Sequence, residues 1–185
     1  KNITLIQRKS KLGLDTAHKI GYNYALDKNY DYLITMDADL SHDPTEIKNF
    51  AANLEINNFV IGSRYISGGK CFMRGRRLIL SKYGNKIIKF ILGIKCNEFT
   101  TSYRGFNLKK LGDFNLNQVN AKGYSFFMQT IYELSKRNIE IKEIPITFRD
   151  RSSGKSKLPK IEILRILKNL IILLYKKNEN IKRNI

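Results

Sequence analysis

Apolar and amphipathic stretches alternate along the chain with strand and helix lengths. Tyr32–Met36 (YLITM) is a continuous apolar run of strand length, the pattern of a strand covered on both faces. Upstream, Ala17, Ile20, Tyr24 and Ala25 recur at helical spacing and predict a helix from Thr16 to Lys28. Asn2–Gln7 (NITLIQ) reads as a short strand before it. Downstream, Asp43 as N-cap, Pro44 at the first helical position and Glu46 three residues after the cap mark a helix start. That helix continues through Ile47, Phe50, Ala51 and Leu54, and NFVIGSRY then forms another strand. This order predicts an α/β fold with a mostly parallel sheet and helices on both faces.

Past Gly69 the pattern changes. In RRLILSKYGNKIIKFILG, Leu80, Tyr83, Ile87, Ile88 and Ile91 fall at helical spacing, with Lys82, Lys86 and Lys89 offset from them. A strand-like SYRGFNL, a helix over Phe126–Lys136 and a strand-like IEIKEIPITF follow. The polar stretch RDRSSGKSK separates these from a closing helix over Lys160–Tyr175, with a tail after Lys176 expected to fray. The expected organisation is a catalytic domain over residues 1–159 and a docking helix with its tail over 160–185. Because the chain opens at Lys1 within a strand-like stretch, its N-terminus is expected to be truncated.

Composition narrows the function classes. The 185 residues suit a single domain with one sizeable core, and 34 Lys and Arg against 16 Asp and Glu leave a net charge of +18. Such an excess implies an anionic partner: nucleic acid, a membrane surface or a phosphorylated substrate. Cys71 and Cys96 form no C-x-x-C, and His18 and His42 are the two histidines. A disulfide framework or zinc cluster is therefore not expected, and a reduced, cytosolic setting fits. No signal peptide is visible, and no apolar run reaches the roughly 20 residues of a spanning helix.

Against this basic background the acids of DADLSHD stand out, because an apolar strand delivers Asp37 and Asp39 together. Ligands of open α/β sheets bind outside the carboxyl ends of the strands. Two residues apart in an extended segment, both carboxylates would point the same way, and they repel unless a cation lies between them. A hard divalent cation, Mg2+ or Mn2+, held by one or two carboxylates and a substrate's phosphate oxygens answers that need. Asp43 is accounted for as a helix cap. Farther on, a Ser/Gly stretch with Arg151 and Lys157 at its ends has the make-up of a phosphate lid.

A lone D-x-D says little, but ITMDADLSHDP, IGSRYISGG and ITFRDRSSGKSKL together resemble, in order and spacing, the dolichol-phosphate (polyprenol-phosphate) mannosyltransferases. These are inverting family-2 glycosyltransferases with the GT-A fold, a Rossmann-like α/β architecture. The resemblance covers nearly the whole chain. It implies that Asp37 and Asp39 bind metal and donor, that Ala38 gives the nucleotide-sugar backbone contacts, and that Ser41 stands where some relatives carry a metal-contacting Gln. It makes Asp39 and Arg64 the catalytic pair, with Arg64 on a phosphate, and puts Arg151 and Lys157 on the donor diphosphate or the acceptor phosphate. Asp15, Glu98, Thr101 and Gln129 depart from the family pattern. The family's first strand, with its nucleotide-contacting Asp-Asp segment, is not in this chain, so the chain as it stands is expected to bind donor poorly and to be inactive.

The implied reaction is transfer of mannose from GDP-mannose to dolichyl or polyprenyl phosphate, with inversion to the β-linked product. The acceptor phosphate is ionised at neutral pH, so no general base is needed, and catalysis reduces to positioning and charge neutralisation. A peripheral enzyme on the cytoplasmic face of a membrane is expected. Its Arg76–Leu92 and Lys160–Tyr175 helices would meet anionic lipid or a small membrane anchor subunit. Two alternatives remain: a sister enzyme using another donor such as UDP-glucose, and a basic nucleic-acid-binding module. The latter predicts aromatic residues interleaved with the Lys/Arg surface, whereas here the basic residues ride on Ile/Leu-rich helices.

Overall fold

The structure, a computed structural model, describes residues 3–149 and 160–183, with side chains in the last helix described from Glu162 to Glu179. A first helix, α1 (Leu14–Asp27), leads to strand β1 (Tyr32–Thr35), and a short 3-10 turn over Pro44–Glu46 opens α2 (Ile47–Ile56). Strand β2 (Phe59–Ser63), a short β3 (Lys70–Cys71) and the long helix α3 (Gly75–Leu92) follow. The chain continues through β4 (Arg104–Asn107), α4 (Tyr124–Lys136), β5 (Ile141–Pro145), β6 (Thr147–Phe148) and α5 (Lys160–Arg183).

The main sheet has the order β1-β4-β2-β5, and β3 pairs with β6 in a second, two-stranded sheet. Strand β4 runs antiparallel to both neighbours, Thr35 facing Arg104 on one side and Ile61 facing it on the other, while β5 lies parallel to β2. Strands β1, β2 and β5 therefore share one direction, as expected, but β4 returns between β1 and β2. The carboxyl ends of β1, β2 and β5 and the amino end of β4 all lie along one sheet edge.

Helices cover both faces. Along β2, Phe59 and Ile61 join one apolar cluster with Tyr22, Ile88, Phe127 and Leu173 of α1, α3, α4 and α5. Val60 points the other way, into a cluster with Phe50 and Leu54 of α2. This alternation is the period of a strand buried on both sides. Gly105 lets α2 come close, since a Cβ there would lie 2.9 Å from a Leu54 methyl.

Two expectations are corrected. Residues 3–7 form no strand: Ile3 and Leu5 are more than four-fifths exposed, because no described strand pairs with this segment. The helix expected to fray after Lys176 continues to Arg183. Helix α5 packs on the rest of the fold. Leu170 and Leu173 are buried in the main cluster, and each end of α5 is tied to a neighbour. Near its start, Glu162 accepts the Tyr124 amide at the head of α4, at 3.2 Å, and near its end the Lys177 ammonium donates to the Leu92 carbonyl, at 2.9 Å. Gly93 permits the second tie, with a left-handed φ of 67° and only 3.0 Å between a would-be Cβ and Lys177 Nζ.

Candidate active site

The chain leaves β1 into a tight bend rather than an extended segment. Leu40 takes a positive φ of 63°, an uncommon conformation for a side-chain-bearing residue that costs about 1–2 kcal/mol. Hydrogen bonds hold the bend. The Ser41 amide and hydroxyl both donate to Asp39 Oδ1, at 3.1 and 2.5 Å, and the Ser102 hydroxyl donates to Asp37 Oδ1 at 2.7 Å. Asp37 and Asp39 are half-buried, and Ala38 between them is exposed. The extended segment expected here is thus replaced by a loop in which each carboxylate has its own hydrogen-bond partner. Asp43 caps the Pro44–Glu46 turn through the Thr45 amide and hydroxyl, as the sequence predicts.

Ser41 is 1% exposed, and its hydroxyl hydrogen is committed to Asp39. Among the described residues, no three His, Cys, Asp or Glu side chains form a group able to hold a metal. The donor set is two hydroxyl-oriented carboxylates at the sheet edge. It fits a hard cation of the Mg2+ type, which keeps water and substrate oxygens as its remaining ligands instead of taking an all-protein cage.

His42 follows the pair. It is 1% exposed, and its Nδ1 accepts the Asp37 amide at 3.0 Å. Its ring lies 5.0 Å from the Tyr103 ring and 5.5 Å from Phe148. Burial pushes its pKa below the ordinary value, against the opposing charges of Asp37, Asp39 and Glu98.

Arg64 has protein partners of its own. It directly follows β2, and its guanidinium grips Glu98 with two bonds, Nε to Oε2 at 2.6 Å and Nη2 to Oε1 at 2.7 Å. Nη2 also donates to the Thr100 hydroxyl at 2.9 Å, and the guanidinium carbon lies 5.0 Å from the Tyr65 and Phe148 ring centres. Arg64 is 7% exposed and Glu98 fully buried. Burial alone would lower the Arg64 pKa, but the charge and hydrogen bonds of Glu98 outweigh it, and the pKa rises. On Glu98, the charge and hydrogen bonds of Arg64 together with bonds from Thr100 overcome burial and lower the pKa. Arg104, equally buried, donates to the carbonyls of Thr101, Phe127 and Phe99 instead of a carboxylate, and burial lowers its pKa to about 9. It remains charged at neutral pH.

The other departures from the family pattern also have structural partners. Asp15 accepts the Gly123 amide at 3.2 Å and Gln129 the Ala121 amide at 2.8 Å, both at the approach to α4. Arg151 and Lys157, with the Ser/Gly stretch between them, lie outside the described residues.

One face of α3 is unusual for a surface helix. Leu80, Tyr83, Ile87 and Phe90 are 49–88% exposed at alternating spacings of three and four, and Lys82, Lys86 and Lys89 each precede one of the last three. The three lysines, not the apolar row, line a cleft of about 260 Å³ together with Arg64, Tyr65 and Asn97. Among the described residues, no helix is long and apolar enough to cross a membrane.

The sequence reading missed Glu98 as the partner of Arg64 and His42 as the partner of Asp37. The first pair is 34 positions apart and left no local signal, whereas His42 could have been found as a polar residue inside an otherwise ligand-like loop.

Comparison with known proteins fits this arrangement. Residues 1–114 match the family described as glycosyl transferase family 2. Over 160 residues, 84% of this chain, it is 34% identical to a polyprenol monophosphomannose synthase of Mycolicibacterium smegmatis, of which that stretch is 60%. Over 158 residues, 85% of the chain, it is 31% identical to an undecaprenyl-phosphate mannosyltransferase of Micrococcus luteus, of which that stretch is 65%. The chain thus spans less than two thirds of the length of either relative.

Proposed function

The chain belongs to glycosyl transferase family 2, and on that premise we propose that it carries the catalytic part of a polyprenyl-phosphate mannosyltransferase. The proposed donor is GDP-mannose, the acceptor dolichyl or polyprenyl phosphate, and the product the β-linked lipid-phosphate mannose formed by inversion. The observation that carries the reading is the Asp37/Asp39 pair, held at the carboxyl edge of the sheet by Ser102 and Ser41, in a chain whose relatives are named for this transfer.

Asp37 and Asp39 would hold Mg2+ or Mn2+, which supplies positive charge to the departing diphosphate. The acceptor phosphate needs no deprotonation, so these residues serve to orient reactants in line. Arg64, whose guanidinium also holds Glu98 and Thr100, would carry its charge to a substrate phosphate at the sheet edge. Ala38, exposed between the acids, would give the nucleotide-sugar its backbone contacts, and Arg151 and Lys157 remain the proposed diphosphate and acceptor-phosphate contacts.

The α3 face suits a peripheral enzyme on the cytoplasmic side of a membrane, working on a lipid whose phosphate lies at headgroup level. Its apolar row can enter the interface while the lysine row, about 100° around the helix, reaches anionic headgroups.

The test is lipid-phosphate glycosylation by the full-length protein. With Mn2+ and undecaprenyl phosphate, labelled GDP-mannose is expected to give lipid-linked mannose and UDP-glucose to give none. Transfer from UDP-glucose alone would overturn the assignment of the donor.

A further inference from the structure

We propose that His42 is a positioning residue for the acid pair: its ring joins the Asp37 amide to the Thr101 hydroxyl and fixes Asp37 against the ends of β4 and β6. The inference rests on the reading of Asp37 and Asp39 as metal ligands.

Three sets of contacts converge on this ring. Because Nδ1 accepts the Asp37 amide at 3.0 Å, the ring hydrogen must sit on Nε2, which faces Thr101 Oγ1 at 3.3 Å. Thr101 is itself immobilised, its hydroxyl accepting the Tyr103 amide at 3.3 Å and its carbonyl accepting from Arg104 at 2.8 Å. A chain of hydrogen bonds therefore runs from the backbone of Asp37 through the imidazole to the buried guanidinium of Arg104. Around it, His42 bridges Phe148 as an antiparallel pair, the Arg149 amide donates to the Ser41 carbonyl at 3.0 Å, and the Tyr103 hydroxyl donates to the Asp43 carbonyl at 3.0 Å.

The bend could be held by packing alone, since His42 is buried between two aromatic rings. The two roles make opposite demands on a replacement. Phenylalanine fills the space but leaves the Asp37 amide without its acceptor, whereas asparagine can place a carbonyl oxygen near the Nδ1 position but fills the space poorly. Loss of a partner that orients a metal ligand typically weakens metal binding by 10- to 100-fold.

The experiment compares His42→Phe, His42→Asn and the unaltered chain by Mn2+ titration, hydrogen exchange of the Asp37 amide and thermal melting. The expected result is that His42→Phe binds Mn2+ about tenfold or more weakly and exchanges the Asp37 amide faster, at little change in melting temperature. His42→Asn should melt lower yet keep Mn2+ affinity within about threefold and retain protection of that amide. If affinity and protection instead follow melting temperature across the three proteins, His42 is a packing residue and the proposal fails. If the unaltered chain binds no Mn2+, the metal reading fails, and the exchange of the Asp37 amide decides the role of His42 by itself.

Discussion

Replacing Glu98 by glutamine isolates one charge in the most enclosed polar cluster next to the site. Glu98 accepts two bonds from Arg64, at 2.6 and 2.7 Å, and two from the Thr100 amide and hydroxyl, at 3.1 and 2.9 Å. Glutamine has nearly the same outline, but either orientation of its amide turns an NH2 toward a guanidinium N–H. The variant therefore loses the counter-charge and gains a donor facing a donor, while Arg64 stays buried. Breaking one side of a buried ion pair costs about 3–5 kcal/mol. For a chain of this length each kcal/mol shifts the melting temperature by roughly 2–4 °C, which puts the expected loss at about 6–20 °C. Calorimetric melting at pH 7 and urea titration should both register it. Arg64→Met with Glu98→Leu, which removes both charges, should recover most of the loss, since apolar replacement of a whole buried pair is often neutral. A Glu98→Gln variant within about 1 kcal/mol of the parent would refute the account.

Acid should weaken the fold through His18, whose pKa falls from 6.5 to about 4, chiefly because of burial and then the charge of Arg104, against the opposing charges of Asp37 and Asp15. Between these values the unfolded chain holds the extra proton, so stability declines as pH drops from 6.5 to 4, by about 3 kcal/mol in all. His18→Phe should flatten that part of the urea-midpoint profile, and an unaltered slope in the variant would contradict the assignment. In the full-length protein, Asp39→Asn is expected to abolish Mn2+-dependent transfer and leave the melting temperature within a few degrees, whereas near-parental transfer would remove the metal reading. Lys82→Glu with Lys86→Glu should lower cosedimentation with phosphatidylglycerol vesicles at least tenfold at low salt, at roughly 1 kcal/mol per surface lysine. Equal, salt-insensitive binding of both proteins to phosphatidylglycerol vesicles would show that the α3 lysines do not contact headgroups.

What could be read from the sequence was local. The apolar runs gave β1 and β2, and the Asp43–Pro44 start and the spacing of Leu80, Tyr83, Ile87 and Ile88 gave α2 and α3, because periodicity and caps are written in adjacent residues. The acid pair was equally legible, lying within three positions. Strand order was not, because nothing in RGFN says that β4 returns between β1 and β2. Nor was the pairing of Arg64 with Glu98, since a guanidinium after GS carries no mark of a carboxylate 34 positions away. The strand expected at residues 2–7 failed for a related reason. Its composition is strand-like, but a strand also needs a neighbour to complete its ladder.

The ties at the two ends of α5 make its length a specification. Glu162 and Lys177 are fifteen positions apart, about 22 Å along a helix axis, and they meet the head of α4 and the tail of α3. One residue added between them would swing one anchor by about 100° and advance it 1.5 Å. Seven would restore the phase to within about 20° but overshoot by about 10 Å. No insertion satisfies both conditions, so homologues that keep both ties should keep this spacing, even where the exposed side chains between them drift freely.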